Sequence, residues 1–92
     1  MNPALRRDNR KEPRSAADGA VRVWFNGPKP LEIQGRLVDV SASGFRMAHT
    51  YTTLEAGQTV NFRHLEASGR ARVVWNRIDG TRVETGFLLE GA

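Results

Sequence analysis

Two short polar motifs in this chain combine residue types that recognise phosphates and purine bases. Near the start, Arg10 and Arg14 are spaced four apart as R-x-x-x-R. Further along, Asp39, Ser41 and Gly44 form the pattern D-x-S-x-x-G. Guanidinium groups bind phosphate bidentately and match the O6 and N7 acceptors of guanine, while a carboxylate accepts hydrogen bonds from N–H groups. Together the motifs predict a site for a ligand that carries several phosphates and purine edges.

Neither motif is specific by itself. Charged chain termini often carry arginines, and Arg6 lies four residues before Arg10, so the spacing alone is weak. Asp, Ser and Gly also favour ordinary turns for local reasons. In an extended chain, however, residues two apart point the same way, so Asp39 and Ser41 can face one ligand. Gly44 is expected either to adopt a positive φ or to allow close approach of another backbone segment.

Composition limits what else the chain can do. With 92 residues it is one small domain whose core leaves little room for a deep enclosed active site. It has no cysteine, which excludes disulfides and thiolate chemistry and fits a cytoplasmic location. No apolar run approaches the length of a membrane span. His49 and His64 lack metal-ligand spacing and no paired carboxylates are apparent, so we expect no metal, no cofactor and no enzyme activity.

The formal charge of +4 is concentrated near the start of the sequence. Residues 1–14 contain five basic and two acidic side chains, a net charge of +3. Pro3, Pro13 and the turn signal Asp18-Gly19 disfavour regular structure, so residues 1–19 are predicted to form a flexible basic arm. Such an arm favours an anionic partner, which is a nucleotide, a nucleic acid or a lipid surface.

The elements that must position these motifs are short strands. Alternating apolar residues and turn signals predict strands over 21–25, 31–40, 45–49, 59–65, 70–78 and 81–89. Gly35 is expected to mark a bulge or bend, residues 67–69 a turn, and Asp79-Gly80 a hairpin. No window shows helical periodicity. The prediction for residues 20–92 is an all-β antiparallel barrel or sandwich, and closure into a barrel would remove exposed strand edges.

In an all-β chain, the two motifs together resemble the PilZ domain family. The matching positions are Arg10, Arg14, Asp39, Ser41 and Gly44. The similarity extends to residues 21–23, 69–75 and 85–87, so it covers nearly the whole chain. It implies a six-stranded antiparallel β-barrel, here with little or no C-terminal helix. It also implies a receptor that binds the bacterial second messenger cyclic diguanylate (cyclic di-GMP) and catalyses no reaction.

The resemblance assigns a role to each motif residue. Arg10 and Arg14 would contact guanine and phosphate from the arm, Asp39 and Ser41 would hold a guanine, and Gly44 would shape the turn. Additional ligand contacts are expected from Arg6, Arg7, Asn9, Ser43 and Arg46. Many relatives carry an arginine where this chain has Asn9, which leaves open whether one ligand or two bind each chain.

Binding is expected to order the arm and to signal to a downstream protein partner in the control of motility, exopolysaccharide or biofilm formation. The sequence leaves the oligomeric state open. One alternative is a small nucleic-acid-binding barrel, but such barrels usually present several aromatics on one sheet face, and this chain has seven aromatic residues in all. Another is a barrel that only binds proteins and has lost the nucleotide, which the intact motifs disfavour.

Overall fold

The computed structural model of this protein describes residues 15–25, 28–65 and 67–91. These residues form the strands β1 (Ser15–Ala16), β2 (Ala20–Phe25), β3 (Leu31–Val40), β4 (Gly44–His49), β5 (Thr59–His64), β6 (Ala67–Asp79) and β7 (Arg82–Leu89). The three described ranges contain no helix. Accordingly, they offer no helical segment of the length and hydropathy needed to traverse a bilayer.

Strands β2 to β7 close into an antiparallel barrel, as the sequence predicted. The sheet runs in the order β3-β2-β5-β6-β7-β4, and β4 pairs back onto β3. Every neighbouring pair is antiparallel. Closure gives each of these strands a partner on both sides along part of its length. It thereby removes the exposed edges that a small sheet could not otherwise protect.

The core consists of the inward-facing residues of these alternating strands, and Phe45 lies at its centre. The Phe45 ring centroid is 4.9 Å from that of Phe62 and 4.7 Å from that of Phe87. Val23 and Val73 are fully buried beside them. Burying a side chain of this size contributes about 1.5–3 kcal/mol, so the three aromatic rings hold β4, β5 and β7 together.

One irregularity of register shapes β3 near the polar motif. The pairing of β3 with β4 shifts between Leu37 and Asp39, so that Leu37 faces the core and Asp39 the outside. The bulge or bend was predicted at Gly35 instead, and this prediction was wrong. Gly35 is paired regularly, and a Cβ there would lie 2.2 Å from the carbonyl oxygen of Ala48. This glycine therefore serves the close approach of β4 and not a bulge.

Two strand boundaries differ from the sequence-based expectation. Residues 67–69 were expected to form a turn, but β6 begins at Ala67, and Gly69 pairs with Phe62 of β5. The chain also pairs earlier than expected, because Ser15–Ala16 lie against the end of β3 within a stretch predicted to be irregular. In both places small or polar residues are extended because a partner strand lies alongside, which local propensity does not reveal.

A chain of hydrogen bonds fastens the loop between β4 and β5. His49 Nδ1 accepts from the backbone N–H of Tyr51 at 3.0 Å, so the imidazole proton lies on Nε2. His49 Nε2 donates to Thr85 Oγ1 at 2.7 Å, and Thr85 donates to Asn76 Oδ1 at 2.6 Å. Asn76 Nδ2 then donates to the Leu54 carbonyl oxygen at 2.8 Å. Burial lowers the pKa of His49, so the ring is neutral when it holds these bonds.

We expect the free energy of unfolding to fall as the pH drops below about 6.5, the ordinary pKa of histidine. In that range the unfolded chain gains a proton at His49, whereas the folded protein, in which the pKa is lowered, takes it up only at lower pH. Urea unfolding at about pH 7.5 and about pH 5.5 measures this loss. The His49→Gln variant should show a smaller loss than the wild-type chain. Equal losses in wild type and His49→Gln would refute the assignment.

Candidate functional site

The D-x-S-x-x-G motif lies where β3 turns into β4. Asp39 is the penultimate residue of β3, Ser41 begins the turn, and Gly44 is the first residue of β4. The expected ligand contacts that lie outside the described residues are Arg6, Arg7, Asn9, Arg10 and Arg14. The described part of the predicted site is therefore its barrel half.

Asp39 and Arg46 form a bidentate ion pair on the outer face of the barrel. The two residues are register partners across β3 and β4. Arg46 Nε donates to the two carboxylate oxygens at 3.0 and 2.9 Å, and Arg46 Nη2 donates to Oδ2. The Asp39 side chain is 8% exposed and that of Arg46 is 34% exposed. Charge-assisted pairs of this kind are strong and directional, so Asp39 fixes the plane of a guanidinium that solvent and ligands can still reach.

Carboxylates from two strands determine the electrostatics around Arg46. The hydrogen bond to Asp39 is the main cause that raises the pKa of Arg46 above its ordinary value, while burial opposes it. Glu84 of β7 adds to the rise, with Oε1 4.0 Å from Arg46 Nη1. Glu84 Oε1 also lies 3.4 Å from Arg77 Nη2, and Glu84 Oε2 lies 3.6 Å from Arg82 Nη2. Two buried carboxylates thus orient arginines on the outer face of β4, β6 and β7.

Backbone hydrogen bonds and a missing side chain build the turn between β3 and β4. The Ser41 N–H donates to the Gly44 carbonyl oxygen at 2.9 Å, and Ser41 Oγ donates to the same oxygen at 3.5 Å. The Leu89 N–H donates to the Ser43 carbonyl oxygen at 2.7 Å, which ties the turn to β7. A Cβ on Gly44 would lie 2.1 Å from the Phe87 carbonyl oxygen. Gly44 does not have a positive φ, so close backbone approach is the reason for a glycine here.

A cavity of about 620 Å³ lies beside this turn. Ser41 and Gly44 line it from the turn, and Ala17 and Asp18 line it from the segment that leads into β2. Small-molecule sites commonly have volumes of about 300–1,000 Å³ and combine apolar walls with a few polar groups. The cavity is therefore large enough for part of a nucleotide next to the motif.

The chain joins the barrel next to the motif. In β1, Ser15 lies opposite Val40 and Ala16 lies opposite Asp39. Arg14 directly precedes Ser15 in the sequence, so the R-x-x-x-R segment is covalently attached to the barrel beside D-x-S-x-x-G. The described chain thus begins one residue after Arg14, beside the end of β3 that carries Asp39.

The arrangement provides hydrogen-bond donors held on a rigid face. Arg46 can donate to a phosphate oxygen or to the acceptor pair of guanine, because its fork is oriented by Asp39 and partly exposed. Within residues 15–25, 28–65 and 67–91, no group of His, Asp and Glu side chains is placed to hold a metal ion. The described residues of this face can therefore donate hydrogen bonds to an anionic group.

Sequence reasoning missed the part of this face that β6 and β7 contribute. Gly86 is the register partner of both Arg46 and Trp75, and a Cβ on Gly86 would lie 2.4 Å from the Trp75 indole. Glu84 contacts Arg46 from the same strand. The alternation of Glu84 and Gly86 with buried Val83 in the sequence could have indicated an outward face. Their alignment with Arg46 depends on strand register, which the sequence does not state.

No protein-family model matches the chain, and a search of curated proteins found no match either. A functional assignment therefore rests on the chemistry of the site and on the resemblance of its motifs.

We expect Gly44→Ala to destabilise the barrel by about 1–3 kcal/mol, because the new methyl group would collide with the Phe87 carbonyl and force the strands apart. Urea unfolding monitored by tryptophan fluorescence measures the effect. Ala42→Ser, an exposed substitution in the same turn, is the control and should change stability by less than about 0.5 kcal/mol. A Gly44→Ala protein as stable as the control variant would show that β4 and β7 do not need this close approach.

A double-mutant cycle with Asp39→Asn and Arg46→Gln should give a coupling energy of about 1–2 kcal/mol, because the pair is partly buried and bidentate. Asp18 and Arg36 form a matched control, since their side chains are 77% and 68% exposed. Solvent screens such a pair, so its cycle should give less than about 1 kcal/mol. Similar coupling energies for the two pairs would argue against a special role for Asp39 in holding Arg46.

Proposed function

We propose that this chain is a PilZ-like receptor that binds cyclic diguanylate without converting it. The observation that carries the proposal is the position of the Asp39–Arg46 pair beside the point where the chain from Arg14 joins the barrel. A cyclic dinucleotide presents guanine edges and phosphates together, and this position gathers groups suited to both. The motif resemblance supports the same ligand class.

Arg46 is the described residue best suited to the first contact with the ligand. The Arg46 side chain keeps about a third of its surface exposed while Asp39 holds the plane of its guanidinium. A fork held in place loses less side-chain entropy on binding than a free arginine loses. Arg46 therefore suits bidentate recognition of a phosphate or of guanine O6 and N7.

Asp39 has two tasks in this proposal. It holds Arg46, and its carboxylate also lies at the site where the resemblance expects a guanine to be bound. A carboxylate accepts hydrogen bonds from donors such as the N–H groups of guanine. Ser41 supplies a hydroxyl at the rim of the adjacent cavity. Guanine N–H groups and a phosphate can thus be satisfied at neighbouring positions of one turn.

The segment before Ser15 supplies the remaining charge. It carries a net +3 and contains Arg10 and Arg14, which would close over the ligand from the side opposite the barrel. Ordering such a segment costs conformational entropy, which charge-assisted hydrogen bonds from several arginines would offset. The change in the segment on binding is the signal that a downstream protein would detect.

Isothermal titration calorimetry of the full chain with cyclic diguanylate, with GTP as the control ligand, tests the proposal. We expect binding of the cyclic dinucleotide alone, at micromolar affinity or tighter. Arg14→Ala should weaken binding at least about tenfold, because it removes a bidentate partner of the ligand. Lys11→Ala, which removes one positive charge from the same segment, should have a much smaller effect.

Each alternative gives a different result. If neither heat nor a thermal shift appears with cyclic diguanylate, the receptor proposal fails, and if oligonucleotides do not bind either, the barrel that binds only proteins is favoured. If oligonucleotides bind tightly with a steep dependence on salt while the cyclic dinucleotide does not, the chain is a nucleic-acid-binding barrel. If Lys11→Ala and Arg14→Ala weaken binding equally, the segment contributes only general positive charge.

A further inference from the structure

A second basic surface lies on the outer face of β2, β5 and the first half of β6. The arginines that define this basic face are Arg22, Arg63, Arg70 and Arg72. All four are exposed. Arg22 and Arg63 are direct register partners, and Arg70 and Arg72 follow on the next strand opposite Asn61 and Thr59. The basic face is thus a compact block that spans three adjacent strands.

The charges on the basic face are only partly balanced. Arg22 Nε lies 3.6 Å from Glu32 Oε2, and Arg72 Nη1 lies 3.9 Å from Glu90 Oε2. Arg63 and Arg70 form no ion pair with the residues that the structure describes. Like charges directly opposite each other on neighbouring strands destabilise a sheet, and Arg22 and Arg63 are such a pair. A bound anionic group would relieve that repulsion.

A depression of about 460 Å³ lies between these two arginines. Its polar lining comes from Arg22, Gln34, Arg63 and His64, and its apolar lining includes Val21 and Leu65. Leu65 is a large apolar side chain left 68% exposed at this depression. The depression therefore combines guanidinium donors with an apolar contact, so it suits a group in which an acidic and an apolar side chain are neighbours.

We propose that the basic face docks an acidic segment of a protein partner in which carboxylates alternate with apolar side chains. Carboxylates of that segment pair with Arg63 and Arg22 in the depression and with Arg70 beyond it. An apolar side chain of the segment covers Leu65. Arginine is enriched in protein interfaces because its planar fork binds carboxylates bidentately and its stem packs against apolar groups.

Two features of the basic face favour a protein segment over a nucleic acid. Trp24 is the aromatic side chain on the described outer face of β2, β5 and the first half of β6. The Arg22 guanidinium lies 4.8 Å from its ring centroid, which takes up one face of the ring. Single-stranded nucleic acids bind through stacking on free aromatic faces. Glu32 and Glu90 also flank the arginines, and a continuous phosphate backbone crossing the face would pass these carboxylates.

The basic face lies away from the Asp39–Arg46 pair. In the barrel order β3-β2-β5-β6-β7-β4, the strands β5 and β4 are three places apart in either direction. Arg63 on β5 and Arg46 on β4 therefore lie on opposite sides of the barrel. Leu65 lines both the depression and the cavity beside the turn between β3 and β4, so the two sites adjoin at this residue. The docking proposal rests on the arginines of the basic face and does not depend on the proposed nucleotide function.

Fluorescence anisotropy with three labelled probes and the full chain tests this docking. The probes are a peptide that alternates glutamate with leucine, the same peptide with glutamine in place of glutamate, and an oligothymidylate of equal charge. We expect the glutamate peptide to bind at low salt and the glutamine peptide not to bind. The Arg63→Glu/Arg70→Glu variant should weaken binding of the glutamate peptide by about tenfold or more.

The control variant is Arg77→Glu/Arg82→Glu, which makes the same change in net charge on two exposed arginines away from the basic face. It should leave peptide binding within about twofold of wild type. Circular dichroism confirms that both variants are folded. The proposal would be overturned if both variants weakened peptide binding equally, or if neither variant changed it. If oligothymidylate binds more tightly than the peptide, and if its binding is lost in the Arg63→Glu/Arg70→Glu variant, the basic face is a nucleic-acid site.

Discussion

The shift in register between Leu37 and Asp39 is the constraint on which the candidate site depends. Side chains along a regular strand alternate with a period of two, so Asp39 would share the core-facing side with Leu37 if β3 were regular. A carboxylate in the core would cost several kcal/mol unless it were paired there. The shift turns Asp39 outward to meet Arg46, and it returns Val40 to the position opposite Phe45. One extra residue in β3 therefore gives both a continuous apolar core and a fixed arginine on the surface.

The fold was more predictable than the site. Alternation and turn signals such as Asp79-Gly80 predicted the strands and an antiparallel barrel or sandwich, because both depend on local patterns. The resemblance of the motifs predicted the closed six-stranded barrel. A bulge was wrongly predicted at Gly35, because a glycine within a strand can indicate either a bulge or the close approach of a neighbouring strand. The sequence does not distinguish the two. The sequence included Arg46 among the additional contacts because it follows the turn closely. Its pairing with Asp39 and Glu84 could not be derived, because contacts across strands depend on register.

The arginines of this barrel fall into two groups that differ in how far carboxylates balance them. Around Glu84 and Asp39, each described arginine has an acidic neighbour that orients it. On the outer face of β2 and β5, Arg63 has none among the described residues. An oriented arginine suits a small ligand that must be held in one geometry, because little freedom is left to lose on binding. An arginine without a neighbouring carboxylate suits a larger partner that supplies the missing charge itself.

The pairing of β2 with β5 brings together residues that are far apart in the sequence, such as Val23 and Phe62. Every other barrel pairing except that of β4 with β7 joins consecutive strands. The β2–β5 and β4–β7 pairings are therefore the two that close the barrel. Non-local contacts of this kind slow folding and make it cooperative, since loop entropy is lost before the contacts form. Neither half of the chain has a core of its own, because Phe45 packs on Phe62 and Phe87 from separate strands. A fragment that lacks β2 or β7 would consequently lose both surfaces together, so the barrel can be moved into another protein only as a whole.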